Sequence, residues 1–159
     1  MRIAGINKAS FNNGDGVRFV VFTQGCKHHC KGCHNPDTWD FNGGTEISVE
    51  EIAEMYRAKE KVLDGITLSG GDPFFQQEEC VKLLKLLPNV NVWIYTGFLY
   101  EEIENTELAS LADVIVDGRF VEQLKCTDKM YGSSNQRIIE AGKEKTHSQL
   151  SSGVNCILQ

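Results

Sequence analysis

Short apolar runs alternate along the chain with longer stretches in which apolar residues recur with a helical period. The apolar runs are rich in β-branched and aromatic residues, and they predict buried strands at residues 17–23, 65–69, 91–96 and 113–117, with a weaker strand at 136–140. The connections between these runs are short enough for one compact unit. This pattern predicts an α/β fold.

Three helices are predicted between the strands. The clearest covers residues 48–63, where Ser48 and Glu51 have the spacing of a capping box. Further helices are predicted at residues 77–87 and 100–111. An alternation of strands and helices favours a mainly parallel sheet with right-handed crossovers.

Each of the four main predicted strands is followed directly by small or polar residues. These segments are residues 23–26, 69–72, 96–97 and 117–118, with the sequences TQGC, SGGD, TG and DG. Parallel strands end at the same edge of a sheet, so we expect the four segments to lie close together. That edge is where α/β sheets and barrels bind their ligands.

The length of the chain limits its architecture. With 159 residues it is too short for a complete eight-unit (β/α) barrel, which needs ~250 residues. Residues 1–140 are predicted to form one domain. The sequence from residue 141 onward is polar and has little periodicity, so residues 141–159 are predicted to be a loosely ordered tail.

The charge of the chain argues against two classes of partner. Sixteen basic and twenty-two acidic residues give a formal charge of −6, which provides no general attraction for nucleic acid or anionic lipid. No apolar run approaches the ~20 residues of a membrane helix, and the polar start lacks the apolar segment of a signal peptide. We therefore expect a cytoplasmic protein that binds neither nucleic acid nor membrane.

Three of the six cysteines, Cys26, Cys30 and Cys33, lie close together in a C-x3-C-x2-C pattern. The same spacing would also suit one face of a buried helix. However, Gly25 and Gly32 interrupt the segment and basic residues fill its gaps, which favours a polar loop. The basic neighbours are expected to lower the pKa values of the thiols and to favour metal binding.

Three thiolates on a loop can bind either zinc or an iron-sulfur cluster. A structural zinc site needs four protein ligands, and His28, His29 or His34 would have to complete it. A 4Fe-4S cluster held by three cysteines instead leaves one iron free to bind a substrate or cofactor. The spacing favours the iron-sulfur cluster and leaves zinc as the alternative.

A second motif, Ser-Gly-Gly-Asp-Pro at residues 69–73, follows the second predicted strand. It lacks the residues of the known phosphate-binding and dinucleotide-binding loops. Paired glycines permit a close approach of the backbone to a ligand, and Pro73 fixes the exit of the chain. Alternatively, the motif is a tight turn between a strand and a helix.

Together, the two motifs resemble those of the radical S-adenosylmethionine superfamily. The segment 33–39 (CHNPDTW) resembles the activating enzymes of glycyl-radical proteins, and the segments 116–120 (VDGRF) and 132–136 (GSSNQ) resemble the branch that activates anaerobic ribonucleoside-triphosphate reductases. The resemblance covers residues 12–139. It implies that residues 1–140 form a partial, open (β/α) barrel of about five to six parallel strands with helices outside.

The resemblance also implies a cofactor site. Cys26, Cys30 and Cys33 would hold a 4Fe-4S cluster, and S-adenosylmethionine would bind its open iron. The residues implied to contact S-adenosylmethionine are Ser69, Gly70, Gly71, Asp72 and Pro73 around the methionine moiety, Gly32, Cys33 and His34 near the adenine, and Thr96 and Gly97 near the ribose. Many superfamily members carry an aromatic residue at the position of Gly32, so stacking on the adenine is not expected there.

The implied reaction is the reductive cleavage of S-adenosylmethionine to a 5'-deoxyadenosyl radical, which removes a hydrogen atom from a glycine of a partner protein. The cofactor carries this chemistry, and no catalytic acid or base is expected from the chain. The implied partners are the large subunit of the reductase and an electron donor of the flavodoxin or ferredoxin type. An open barrel would let the partner present its glycine loop to the radical.

Two other functions remain open at this point. The chain could activate pyruvate formate-lyase or another glycyl-radical enzyme, whose activators have a similar cluster segment. It could also be a non-enzymatic iron-sulfur or zinc protein, although the glycine motif would then have no explanation.

Overall fold

The computed structural model describes residues 1–127 and 129–141. The strands in this part of the chain are β1 (Arg2–Ser10), β2 (Arg18–Thr23), β3 (Thr45–Glu46), β4 (Gly65–Gly70), β5 (Val92–Tyr95), β6 (Val114–Asp117) and β7 (Arg137–Glu140). The α-helices are α1 (Val49–Arg57), α2 (Gln77–Lys85), α3 (Tyr100–Ile103) and α4 (Glu107–Leu111). The predicted tail, residues 141–159, lies outside the described residues except for Ala141.

All seven strands belong to one open sheet with the order β3-β1-β2-β4-β5-β6-β7. The four central strands, β2, β4, β5 and β6, are parallel, whereas β1, β3 and β7 pair antiparallel to their neighbours. The α/β class and the open sheet are therefore confirmed. The expectation of five to six parallel strands was wrong, because the sheet is mixed.

The connections explain the antiparallel edges. A crossover between parallel strands needs a dozen or more residues and usually a helix. The loop between β1 and β2 is too short for one, and the long connection between β6 and β7 contains one short 3-10 turn, Glu122–Leu124, in its described part. The chain consequently reverses direction at both places.

The helices begin where the sequence predicts but end earlier. Ser48 caps α1 by accepting a hydrogen bond at Oγ from the Glu51 N–H (3.1 Å), as its position indicates. The predicted helix at 48–63 ends at Arg57, and the prediction of one helix at 100–111 was wrong, because the chain forms α3 and α4 instead. Thr106 starts α4 by capping the Ala109 N–H (3.2 Å), and such a cap favours a new helix start.

The helices pack on one face of the sheet. Alternate strand residues such as Phe19, Ile66 and Ile94 form a core with helical residues such as Ile52 and Leu83, and Cys80 belongs to this core. The other face carries Arg18, Thr67, Trp93 and Tyr95, as the period of two in a strand requires. Over the described residues, no helix is both long and apolar enough to cross a membrane.

Candidate functional site

A cleft of about 760 Å³ opens at the carboxyl ends of the parallel strands. It contains residues from the end of each of these strands, which confirms the expected convergence. The predicted site residues that line it are Cys26, Cys30, Cys33, His34, Ser69, Gly70, Gly71, Thr96 and Gly97. Gly32, Asp72 and Pro73 do not line it.

The cysteine segment is a loop, as predicted, and not a helix. Gly25 and Gly32 have positive φ angles (+98° and +73°), which glycine adopts at little cost. The Gly25 N–H donates to the Thr38 carbonyl (2.7 Å), and the Cys26 N–H donates to the Trp39 carbonyl (3.2 Å). These bonds fix the start of the loop against the segment that follows it.

The thiols of the loop are partly withdrawn from water. Burial raises the pKa of Cys26 to about 11, although the His28 backbone N–H acts in the opposite direction, and burial also raises the pKa of Cys30. The expectation that the basic residues of the loop lower these pKa values was therefore wrong, because burial is the largest influence on both thiols and those side chains do not offset it. A coordinating metal deprotonates a thiol outright, so the cluster itself would supply the compensating positive charge.

The donor set fits an iron-sulfur cluster. All three cysteines face the same cleft, and soft thiolates are the ligands such clusters prefer. Within residues 1–127 and 129–141, no group of three or more His, Cys, Asp or Glu side chains is arranged to hold a single metal ion. A cluster differs from one ion because its ligands bind separate iron atoms.

The histidines considered as a fourth zinc ligand have other contacts. His28 Nε2 lies 2.9 Å from Asp72 Oδ2. The rings of His29 and His34 pack on Trp39 and Phe120, each with centroids 4.8 Å apart. Each of the three histidine rings thus has a contact other than the cysteine thiols.

The paired glycines bring the two motifs into contact. The Gly71 N–H donates to the Thr23 carbonyl (2.8 Å), and the Asp72 N–H donates to the Gly25 carbonyl (3.0 Å). A Cβ atom at position 71 would lie closer than 3.0 Å to the Gly25 carbonyl, and Gly70 has a φ angle of +97°. The turn geometry and the close packing therefore both require glycine, while the same backbone faces the cleft.

Asp72 lies behind this backbone with no exposure to solvent. Its Oδ1 accepts from the Phe74 N–H (3.0 Å), and its Oδ2 accepts from Thr96 Oγ1 (2.8 Å) and the Gly97 N–H (2.8 Å). Pro73 is also buried and begins a short 3-10 turn, Pro73–Gln76. Their predicted contacts with a ligand stay predictions.

The connection between β6 and β7 forms a further wall of the cleft, beside the cysteine loop. Gln136 Oε1 accepts from the Gly132 N–H (2.8 Å) and the Ser133 N–H (3.1 Å), while its Nε2 donates to the Gly118 carbonyl (2.8 Å). Asn135 Nδ2 donates to the Arg119 carbonyl (2.9 Å). The two polar motifs at 116–120 and 132–136 thus bind each other and shape the wall.

Sequence reasoning missed several residues that line the cleft, among them Phe11, Asn12, Asn13, Tyr95 and Cys126. Strand alternation could have indicated Tyr95, since it shares a face with Trp93 and precedes Thr96. Cys126 is half-buried, and its position in an irregular stretch gave no signal. The loop residues 11–13 reach the cleft across the face of the sheet that carries Thr67, whose Oγ1 donates to the Asn13 carbonyl (2.7 Å), a contact that the sequence did not indicate.

Comparison with known proteins assigns the chain to a family. Residues 12–139 match the family model of the 4Fe-4S single cluster domain. The chain is 35% identical over 140 residues to the anaerobic ribonucleoside-triphosphate reductase-activating protein of Enterobacteria phage T4, with 84% of this chain and 90% of that protein covered. The chain belongs to this family of reductase-activating proteins.

Proteins from cellular organisms match the chain as well. The protein of Escherichia coli K12 is 35% identical over 136 residues, which cover 78% of this chain and 88% of that protein. The protein of Haemophilus influenzae is 31% identical over 138 residues, which cover 79% and 89%. The match to the 4Fe-4S single cluster domain includes all the cleft-lining residues except Phe11.

Proposed function

We propose that the protein activates an anaerobic ribonucleoside-triphosphate reductase by generating a glycyl radical on its large subunit. The observation that carries this proposal is the meeting of three cysteine thiols and the Gly70-Gly71 backbone in one cleft. The relatives named for this activation, at 31–35% identity over most of the chain, support the choice of the partner enzyme.

In this proposal, Cys26, Cys30 and Cys33 hold a 4Fe-4S cluster, and the cleft binds S-adenosylmethionine beside it. The backbone at Gly70 and Gly71, with Ser69 next to it, would receive the amino end of the methionine moiety. Backbone around Cys33 and His34 would contact the adenine, and Thr96 and Gly97 would contact the ribose.

The chemistry that the bound cluster would supply is one electron for the reductive cleavage of S-adenosylmethionine to methionine and a 5'-deoxyadenosyl radical, and this radical would take a hydrogen atom from the glycine. The role of the chain itself is to orient the cofactor and to shield it from water. Aromatic side chains at Phe22, Trp39, Tyr95 and Phe120 line the cleft and reduce contact with water. No side chain needs to act as an acid or a base.

The cleft must also be accessible to a loop of the reductase and must receive electrons from a donor protein. The sheet is open, so a loop of the reductase can reach the cleft from outside. We propose a flavodoxin or ferredoxin-type protein as the electron donor and the reducing cytoplasm as the compartment. A cluster with one iron lacking a protein ligand is sensitive to oxygen, which fits an anaerobic system.

The test is an anaerobic incubation of the reconstituted protein with a reductant, S-adenosylmethionine and a candidate reductase. We expect a glycyl radical in the electron paramagnetic resonance spectrum, together with stoichiometric methionine and 5'-deoxyadenosine. Cys26→Ala, Cys30→Ala or Cys33→Ala should abolish both the brown cluster and the radical. Cys156→Ala, at a position outside the described residues, is the matched control and should retain most of the activity.

The same assay separates the alternatives. A colourless protein that contains zinc would contradict the cluster, and a brown protein that cannot cleave S-adenosylmethionine would contradict the enzyme. Radical formation on pyruvate formate-lyase but not on the reductase would assign the chain to the other activator class. Equal losses of activity in all four cysteine variants would contradict the three-ligand site.

A further inference from the structure

We propose that His28 is a positioning residue that joins the cysteine loop to the S-adenosylmethionine-binding backbone through the buried carboxylate of Asp72. The inference rests on the proposed function, since it concerns how the chain aligns the two halves of that site. Asp72 would then act from behind the cleft, as the link between the two parts of the site. His28, which lies between Cys26 and Cys30 in the sequence, would hold the cysteine loop to this link.

His28 points into the protein from the cysteine loop. Its side chain is 6% exposed, and its Nε2 lies 2.9 Å from Asp72 Oδ2. A carboxylate can only accept, so Nε2 carries the hydrogen of this bond. The ring packs against Phe98 and Phe75, with centroids 4.7 and 5.6 Å away, and these contacts fix its orientation.

One carboxylate thereby connects three strand ends. Asp72 follows β4, His28 belongs to the loop after β2, and Thr96 and Gly97 follow β5. Oδ2 accepts bonds from His28, from Thr96 Oγ1 and from the Gly97 N–H, all between 2.8 and 2.9 Å. The loss of one of these hydrogen bonds would leave the buried carboxylate with one donor fewer, which costs free energy. We therefore expect the three segments to move together.

The ring of His28 also sets the spacing of these segments by contact. It packs so closely against Gly97 that a Cβ atom there would lie closer than 3.0 Å to ring atoms. On the other side, Cys26 and Cys30 are two residues away along the loop. A displaced ring would therefore change the distance between the cluster ligands and the backbone at Thr96 and Gly97.

The test compares His28→Phe, which keeps a ring but loses the donor, with His28→Gln, which keeps a donor. We expect His28→Phe to retain the cluster, measured as iron and sulfide per chain, while its affinity for S-adenosylmethionine falls ~10-fold to 100-fold. The affinity is read from the change that S-adenosylmethionine causes in the spectrum of the reduced cluster. His28→Gln should restore most of the affinity.

Two further variants make the result specific. His29→Asn changes the neighbouring histidine, which is exposed, does not line the cleft and has a φ angle of +48° that asparagine tolerates. It should bind S-adenosylmethionine as the wild type does. Asp72→Asn should weaken binding as His28→Phe does, and the double variant should be no worse than the weaker-binding single variant, since both break the same link.

The outcomes also distinguish this inference from the proposed function. If the wild type binds S-adenosylmethionine and His28→Phe binds it equally well, the inference is wrong and the proposed function stands. Equal losses in His28→Phe and His28→Gln would show a merely structural role. If the wild type binds S-adenosylmethionine in this His28-dependent way but produces no glycyl radical on the reductase, the proposed function fails and the positioning role stands.

Discussion

The two ends of the parallel strands each bury a charged side chain, but the two charges have different neighbours. Arg18 lies at the amino ends and is 1% exposed, whereas Asp72 lies at the carboxyl ends and is fully buried. Both satisfy the rule that a buried charge must be hydrogen-bonded. The two side chains differ in the parts of the molecule to which their hydrogen-bond partners belong.

The partners of Arg18 are parts of the sheet and its entry loops. Its guanidinium donates to Thr67 Oγ1 (3.1 Å), to the Ile66 carbonyl (2.6 Å) and to Asn91 Oδ1 (2.8 Å), and it lies over the ring of Trp93. Burial lowers the pKa of this guanidinium. These bonds connect the starts of β2, β4 and β5, and none of the acceptors lines the cleft, so Arg18 contributes to the stability of the sheet.

The partners of Asp72 belong to loops that carry the site. The partners of Oδ2 come from the cysteine loop and from the residues after β5, and none of these bonds extends a strand pairing. One physical requirement therefore has two uses. At the amino ends it stabilises the sheet, and at the carboxyl ends it connects the loops of the candidate site.

The substitution of Arg18 is expected to have the largest effect, and it tests the division between the two ends of the strands. Arg18→Met keeps much of the side-chain volume but leaves the carbonyls of Ile66 and Asn91 without this donor. We expect the free energy of unfolding of the apoprotein to fall by about 3 kcal/mol in urea titrations. The affinity of folded, reconstituted protein for S-adenosylmethionine should stay within about twofold of the wild type.

Arg57→Met is the matched control. Arg57 is exposed and donates to the Leu86 carbonyl (2.7 Å) near the end of α2. Its removal should cost no more than about 0.5 kcal/mol. The division between the two ends would be broken if Arg18→Met left the free energy of unfolding unchanged but weakened the binding of S-adenosylmethionine.

At either end of the parallel strands, the replacement of a closely packed glycine should have a smaller effect on the free energy of unfolding. A Cβ atom at Gly65 would lie closer than 3.0 Å to the Asn91 carbonyl and to the guanidinium of Arg18, and one at Gly71 would press on the Gly25 carbonyl. Gly65→Ala and Gly71→Ala should each lower the free energy of unfolding by about 1–3 kcal/mol. Gly71→Ala alone should also lower the cluster content after reconstitution, because it displaces the cysteine loop.

Gly5→Ala is the control for both glycine variants, since no atom lies within 4 Å of a Cβ atom at that position. It should unfold and bind the cluster as the wild type does. Cluster loss of the same size in Gly65→Ala and Gly71→Ala would mean that the sheet transmits strain from one end to the other. The two ends would then have to be treated as one unit.

The central part of this molecule is predictable from sequence because its signals are local. Strands β2, β4, β5 and β6 are apolar runs, and the residues that follow them identify the edge of the site. The cysteine spacing and its glycines likewise indicate a loop with metal-binding thiols. The proposed contacts with S-adenosylmethionine rest on the family resemblance rather than on the spacing.

The parts that could not be predicted depend on pairing between distant residues. Strand β1 is half-exposed and polar, and its antiparallel pairing with β2 contains two register shifts, so it has little periodic signal. The link between His28 and Asp72 spans 44 positions in sequence. No local pattern indicates that a histidine on one loop donates to a carboxylate behind another.

A third buried charged side chain, Asp117, lies at the carboxyl end of β6, but its partners are structural. Its Oδ2 accepts from the Tyr100 N–H (2.8 Å), and the carboxylate pairs with Arg137 of β7. Arg137 also binds both carboxylate oxygens of the exposed Glu101 (2.9 and 2.8 Å). Position at this edge is therefore not enough to make a carboxylate part of the site.

The smallest predicted effect concerns this ion-pair group and its dependence on pH. The hydrogen bonds from Arg137 lower the pKa of Glu101 to about 2, below its usual value of 4.5. A depressed pKa means that Glu101 stabilises the folded protein at pH above about 4.5, and that this contribution is lost as the pH falls toward about 2. Glu101→Gln should thus destabilise the apoprotein slightly at neutral pH, and the difference from the wild type should shrink over that acidic window. Urea titrations across that window measure this difference.

Arg137→Lys loses the bidentate geometry, so Glu101→Gln in that background should show a weaker dependence on pH. A difference that stays constant from neutral to acidic pH would contradict the coupling of Glu101 to Arg137, and the edge formed by β6 and β7 would then depend on Asp117 alone.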